Sequence, residues 1–211
     1  MIPPRTRPAT EDDMPAIVNI YIRAYAQPPW NERHEPISSE GYLRWVMGVP
    51  ETSCLLALDT PSDAPTPSAP PTVASPVEAA PARETVAGFV LAGARAYDQF
   101  VQDWERLAER PPEGWPAVPG TLGYIWEIAV DPATQRRGHG TALLAAAIER
   151  LKADGVDVLI LRSSERATAA IGLYHRFGFQ RLPVRERIDP LSGPWVLPLN
   201  GLPPSGPALN G

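Results

Sequence analysis

The sequence predicts a single α/β domain, a mixed sheet flanked by helices. Three observations carry this. Short apolar runs rich in β-branched residues, which read as strands, are interleaved with runs of apolar period three to four, which read as helices. With 211 residues, 44% of them hydrophobic, the chain can bury one sizeable core, and a second only if both are small. Between Leu122 and Leu151 a strand, a glycine turn and a helix start follow one another without a break, and the rest is organised around that junction.

In chain order, Arg5–Ala9 is too short to assign by itself. Thr10 suits a helix N-cap, and Glu11, Asp12 and Asp13 favour the positive end of the dipole, so a helix opens there. Its apolar stripe is Ile17, Ile20, Tyr21 and Ala24. Gln27–Glu32, QPPWNE, breaks it. Ser38–Met47 reads as a second helix, with Tyr42, Leu43, Trp45 and Val46 as buried candidates. Cys54–Leu58 and Thr85–Ala94 read as strands. The connection between them, 60–84, holds seven prolines and no aromatic residue. It cannot bury enough apolar area to offset chain entropy, so a disordered insertion is expected. Its PxxP-like spacing could alternatively bind a partner domain. It does not divide the chain in two, because one sheet needs the strands on both sides.

Asp98–Glu109 reads as an added helix with Phe100, Trp104 and Leu107 on one face. With the Pro/Gly loop Pro111–Gly120 it makes a helical insertion over 98–121. Leu122–Val130 is a buried strand with one carboxylate, Glu127, set into it. Asp131-Pro132 stops that strand. Leu143, Leu144, Ala147, Ile148 and Leu151 then define an amphipathic helix that ends near Asp154-Gly155. Val156–Leu161 is a further buried strand. Ser163-Ser164-Glu165 can cap a helix over Arg166–Phe177, which ends at Gly178. Phe179–Ile188 and Trp195–Leu199 are the last strand candidates. The domain thus covers 1–200, followed by a flexible tail at 201–211.

The physics of the central junction is anion binding. Gln135-Arg136-Arg137-Gly138-His139-Gly140-Thr141 leads into the helix, whose first amides have no intrahelical partner and carry the positive end of the dipole. Two glycines admit close backbone approach and two arginines add charge, so a phosphate or pyrophosphate fits here. A dinucleotide-binding fingerprint would need a third glycine where Leu143 stands, and a Walker loop would need Gly-Lys. A tight turn with glycines placed for packing is the bland alternative.

Composition excludes other classes. No run of eighteen apolar residues suggests a membrane helix, and MIPPRTRPATEDD lacks an apolar signal core, so a cytoplasmic protein is expected. The single cysteine, Cys54, rules out an intramolecular disulfide and reads as a small core residue. The net charge is −5, and it is unevenly spread. Residues 1–60 carry five arginines against eight acids, whereas 122–182 carry seven arginines and one lysine against six acids. An anionic cofactor on the basic side and a cationic substrate on the other fit this division. Nucleic-acid binding would want a basic excess, so none is expected. His34, His139 and His175 lack ligand spacing, so no metal site is expected.

Q-x-x-G-x-G over Gln135–Gly140, behind a strand carrying EIAVDP, resembles the acetyl-CoA site of the GNAT N-acetyltransferases. Leu173–Phe179, LYHRFGF, resembles the L-Y-x-x-x-G-F signature that follows it in that family. Together they cover roughly 122–182. The resemblance implies a GNAT-like mixed, mostly antiparallel central sheet flanked by helices, with Arg5–Ala9 as its first strand. It implies acetyl-CoA held by the amides of Gln135–Thr141, with its pantetheine arm paired to the backbone of Ile128, Ala129 and Val130. The two N-terminal helices would flank the acceptor, making Trp30 and Glu32 acceptor contacts. A proline-stiffened loop with an exposed Glu is the equal alternative there.

Acetyl transfer from a thioester to an amine needs a base, oxyanion stabilisation and an acid for the thiolate. The family position of Glu127 makes it the base, its pKa raised by burial. The other reading is a carboxylate paired with an arginine. Tyr174 corresponds to the family's general acid; the other reading is an aromatic packed between Leu173 and Phe177. One departure stands at Ala167, where the family often has Asn. The resemblance implies an N-acetyltransferase acting on a primary amine of a small cationic molecule, aminoglycoside-like or a polyamine. A protein N-terminus or lysine is the second acceptor class, and a non-catalytic acyl-CoA-binding regulatory module is the alternative from another class. No membrane partner is expected, and a homodimer is left open.

Overall fold

The computed structural model describes residues 4–59, 84–107, 121–183 and 189–199, with 103–107 through their backbone alone. The insertion expected at 60–84 (Glu84 apart), the second half of the 98–121 insertion, the end of the Phe179–Ile188 strand and the 201–211 tail lie outside these residues.

Strands β1 (Arg5–Pro8), β2 (Thr52–Asp59), β3 (Thr85–Ala96), β4 (Thr121–Val130), β5 (Val158–Ser164), β6 (Gln180–Arg181) and β7 (Ser192–Pro198) form one sheet in the order β1-β2-β3-β4-β5-β7-β6. Every pairing is antiparallel except β4 with β5. Helices α1 (Met14–Tyr25) and α2 (Pro36–Met47) precede β2; α3 (Tyr97–Leu107) follows β3; α4 (His139–Ala153) and α5 (Thr168–Phe177) flank β5. The expected α/β class and mostly antiparallel sheet are what the chain adopts. Among the described residues no helix is long and apolar enough to cross a membrane.

Side-chain alternation sends the two faces of the sheet to different helices. Leu56, Phe89 and Leu91 pack under α1 and α2 with Ile17, Leu43 and Val46. Their neighbours Ala57, Val90 and Ala92 pack under α4 with Leu143, Leu144 and Ala147. The α1 entry is fixed by charge: Asp13 accepts from the Thr10 amide at 2.8 Å and from both terminal nitrogens of Arg7 at 2.7 Å. That pair ties β1 to the helix and holds the Asp13 carboxyl well below its usual range.

Two irregularities shape the centre. In the β3–β4 ladder Ala92 opposes Ile125 but Leu91 opposes Glu127, so Trp126 is the extra residue of a β-bulge. Without it, Glu127 would share the α4 face of Ile125. With it, Glu127 turns to the α1 face, alongside Leu91 and Ala129. The second irregularity is a divergence. The parallel β4–β5 pairing involves only Gly123–Ile125 against Leu159–Leu161, while β5 goes on pairing with β7 as far as Ser164. Past Ile125, the outer edge of β4 leaves the ladder.

Several expectations need correction. Trp45 is 62% exposed, not buried, while Leu43 and Val46 are fully buried as expected. Ser163 and Ser164 extend β5 and do not cap the next helix; α5 starts at Thr168 behind Ala167, without a side-chain cap. Of the strand expected over Phe179–Ile188, only Gln180–Arg181 pairs among the described residues. Cys54 is a core residue whose thiol burial pushes up to about 12, so it is no nucleophile.

Candidate active site

Glu127 is 9% exposed and its carboxylate is held from two helices. The Tyr42 hydroxyl of α2 donates to Oε1 at 2.7 Å, and the Tyr25 hydroxyl at the end of α1 donates to Oε2. The reading of Glu127 as an arginine-paired carboxylate is therefore replaced: its partners are phenols. Burial disfavours the charged form and outweighs these two donors, so the carboxyl titrates above its ordinary 4.5. Burial and the facing carboxylate push both phenols well above 10, so they stay protonated donors.

The loop after α1 closes in on the same place. Trp30 packs on Tyr25 with ring centroids 5.7 Å apart. Glu32 Oε2 lies 2.7 Å from His34 Nε2, and the charge of Glu32 further raises Glu127. Of the expected acceptor contacts, Trp30 thus packs on the tyrosine that donates to Glu127, and Glu32 acts on Glu127 through its charge. Around it a belt of rings runs from Tyr21 through Tyr42, Trp45 and Trp126 to Tyr124, each within 6.3 Å of the next.

Tyr174 enters from the other side, on α5. It is 4% exposed, packed against Phe179 and Trp195 with ring centroids 5.7 and 6.1 Å away. Burial pushes its phenol up to about 12, offset in part by a hydrogen bond with Ser163; the charge of Glu127 adds to the rise.

The turn between β4 and α4 has the geometry its glycines suggest. Gly138 sits at φ +90° and Arg136 at φ +63°, a left-handed conformation that costs a residue with a Cβ about 1–2 kcal/mol. The first helical amide bonded back is that of Ala142, to the Gly138 carbonyl. The amides of His139, Gly140 and Thr141 thus face out of the helix start. A Cβ on Gly140 would lie 3.4 Å from Leu173 and 3.8 Å from Val130, so the helix start abuts both β4 and α5. Gln135, Arg136, Arg137 and Thr141 are exposed. The His139 ring is not: it is 3% exposed and lies 3.5 Å from Asp59, leaving its amide for a ligand. Arg137 pairs with Asp59 at 2.9 Å. Ile128, Ala129 and Val130 lie on the outer edge of β4, where no strand pairs with them among the described residues.

Residues 20–179 match the Acetyltransferase (GNAT) family. The chain belongs to that family. Among GNAT relatives, the mycothiol acetyltransferase of Salinispora tropica is 35% identical over 96 residues, 45% of this chain and 29% of that protein. The [ribosomal protein bS18]-alanine N-acetyltransferase of Escherichia coli K12 is 41% identical over 66 residues, 31% of this chain and 45% of that protein. The matched stretches thus span less than half of either relative. A protein from Salmonella typhimurium solved with its cofactor acetyl-CoA shares the GNAT fold at TM-score 0.57 and 18% identity, over 96% of this chain and 97% of that one.

The reading from sequence did not find Tyr25 and Tyr42 as functional residues. Tyr42 was placed among core candidates, and Tyr25 follows the stripe residue Tyr21 by four, on the same face of α1. That spacing was the only signal available. Among the described residues no cluster of His, Cys, Asp or Glu could hold a metal.

Proposed function

We propose that the chain is an acetyl-CoA-dependent N-acetyltransferase acting on a primary amine of a small cationic molecule, with Glu127 as base and Tyr174 as acid. The observation that carries this is a buried carboxylate with raised pKa, set by a bulge beside the free edge of β4 and across from a protonated phenol. The residues present fit acetyl-CoA: a left-handed glycine, three outward helix amides and an unpaired strand edge in sequence. Its pyrophosphate would lie on the amides from Arg136 to Thr141, and its pantetheine arm along Ile128–Val130.

Acetyl-CoA supplies the thioester. Glu127 takes a proton from the ammonium, directly or through water, freeing the nitrogen lone pair for the carbonyl carbon. A β4 amide donates to the carbonyl oxygen as it gains charge. Tyr174, whose raised pKa keeps its phenol proton in place at neutral pH, would give that proton to the sulfur as the C–S bond breaks, and the phenolate left behind would take the second proton of the attacking nitrogen, leaving a neutral amide and a free thiol. The ring belt and Glu32 draw the ammonium in. The polycationic acceptors, aminoglycoside-like or polyamine, are one end of this class. A protein N-terminal amine is the second reading, favoured by the likeness to the ribosomal alanine acetyltransferase.

The test is thiol release from acetyl-CoA across a panel of amines. Turnover with at least one is expected; CoA binding without turnover on any amine or N-terminal peptide would instead make the chain a binding module. Tyr174→Phe keeps the ring, so acetyl-CoA should still bind while thiol release slows, with greater sensitivity to the basicity of the leaving thiol.

A further inference from the structure

We propose that His139 takes up a proton from solvent when the donor binds: the pyrophosphate draws Arg137 off Asp59, and the freed carboxylate closes on the buried imidazole. This rests on the acetyl-CoA reading of the α4 start. The His139 ring is 3% exposed, and neither of its nitrogens makes a hydrogen bond. Buried polar groups are nearly always partnered, so a ring held in this way calls for a reason. Its Nε2 lies 3.5 Å from Asp59 Oδ1, at the limit of hydrogen-bonding reach. The other oxygen of that carboxylate, Oδ2, accepts from Arg137 at 2.9 Å. One carboxylate thus stands between a cation and a neutral ring, and hydrogen-bonds only to the cation.

The two partners of Asp59 are not equally free to move. The Arg137 side chain is 56% exposed and belongs to the turn proposed to hold the pyrophosphate; the imidazole is buried. An exposed arginine gains little from a carboxylate in water, whereas a phosphate offers its planar fork two oxygens and more charge. Asp59 cannot follow, because it ends β2 in register with Thr85. Left without Arg137, its carboxylate meets the imidazole, whose protonated Nε2 donates to Oδ1 and makes the pair neutral. In the free protein burial and the charge of Arg137 hold His139 below its ordinary 6.5, against the pull of Asp59. Moving Arg137 away and freeing Asp59 act in one direction, and the pyrophosphate adds to it. Among the described residues α4 packs on β1, β2, β3 and β4. The other charged groups around its start are matched or turned elsewhere: Arg5 pairs with Glu84, Arg7 with Asp13 and Arg23 with Asp131, Arg136 is exposed, and His175 of α5 lies on Trp195. Asp59 and Arg137 are the two whose charge acts on the ring.

Calorimetric titration in buffers of different ionisation enthalpy counts the protons exchanged on binding. The probe is acetyl-CoA without its 3′-phosphate, because that monoester titrates near neutrality and the pyrophosphate does not. At pH 7 the wild type should take up about half a proton per molecule bound. Its affinity should fall about threefold per pH unit between pH 6 and pH 8, against a ceiling of about tenfold for one whole proton. The His139 ring resonance should titrate at higher pH with the probe bound than without it. His139→Gln removes the titrating ring and Asp59→Asn removes the charge that would receive it. Each variant, once shown to be folded by circular dichroism, should bind with uptake near zero and a flat affinity profile over that range. Should one of them fail to fold, the other and the ring titration of the wild type still decide. No exchange in the wild type, release in place of uptake, or uptake that survives in either folded variant overturns the proposal and leaves the donor reading standing. Absence of binding to the wild type overturns both.

Discussion

The α1–α2 wall of the proposed site is built from side chains: two phenol hydroxyls from different helices converge on one carboxylate, and a belt of rings surrounds them. The α4 wall works through the backbone: a left-handed glycine, three outward amides and a free strand edge, with most local side chains exposed or turned away. A backbone site recognises what every acetyl-CoA molecule shares. A side-chain site is free to vary with the acceptor. The two walls should therefore fail differently when altered, one in chemistry and the other in donor affinity.

The largest expected effect is on the side-chain wall. Glu127→Gln keeps the shape and removes the proposed base, so turnover should fall roughly ten- to a thousandfold while CoA affinity holds. The residual rate should rise with pH as free amine becomes available. In the wild type the rate should fall on acidification at a pH above the ordinary carboxylate range, since burial raises Glu127. Stability runs the other way. A raised folded pKa means the protonated carboxyl stabilises below the unfolded pKa of about 4.5, and this is lost as pH rises through the folded value. Glu127→Gln should thus keep or raise Tm at pH 7, readable by calorimetry. A large drop in Tm would make Glu127 a structural anchor instead.

Gly138→Val tests the backbone wall. The strain of a β-branched residue at φ +90°, of order 1–3 kcal/mol, moves the amides off their positions. CoA affinity should fall tenfold or more, with the fold largely intact by circular dichroism. Unchanged affinity in the folded variant would sink the donor assignment. An intermediate effect is expected from Tyr42→Phe and Tyr25→Phe. Each removes a donor that favours ionised Glu127, so the acid limb of the rate profile should move to higher pH. Turnover at pH 7 should drop several-fold, and the double variant should exceed either single one. A limb that stays in place would mean the phenols only pack.

The geometry of the proposed donor wall was legible in the sequence because its constraints are local. Asp131-Pro132 ends a strand, Gly138 needs a left-handed φ and α4 starts at His139, all within ten residues. The acceptor wall was not, because Tyr25 and Tyr42 meet Glu127 across 102 and 85 residues and no short pattern records that meeting. Glu127 itself was found as a lone carboxylate in an apolar strand. Its orientation depends on the bulge at Trp126, and nothing in TLGYIWEIAV marks where a ladder will slip. Trp45 was misassigned for a related reason: helical period places it near the apolar stripe, but the stripe stops at Leu43 and Val46.

The smallest expected effect probes a side chain that reaches into the backbone wall. Asp59, the last residue of β2, accepts from Arg137 at 2.9 Å and lies 3.5 Å from His139 Nε2. Burial lowers the His139 pKa, so the ring is neutral at pH 7 and does not offset the carboxylate. A phosphate arriving at the α4 start must therefore share Arg137 with a fixed negative charge. Asp59→Asn keeps an acceptor for the guanidinium and removes that charge. Because Arg137 is largely exposed, the gain is bounded by what a surface ion pair contributes, up to about 1 kcal/mol. CoA affinity should tighten by no more than about fivefold in dilute buffer, and the gain should fade as added salt screens the site. A weaker affinity at every salt concentration would reverse the role: Asp59 would be holding Arg137 in position for the phosphate, and the donor wall would depend on a side chain after all.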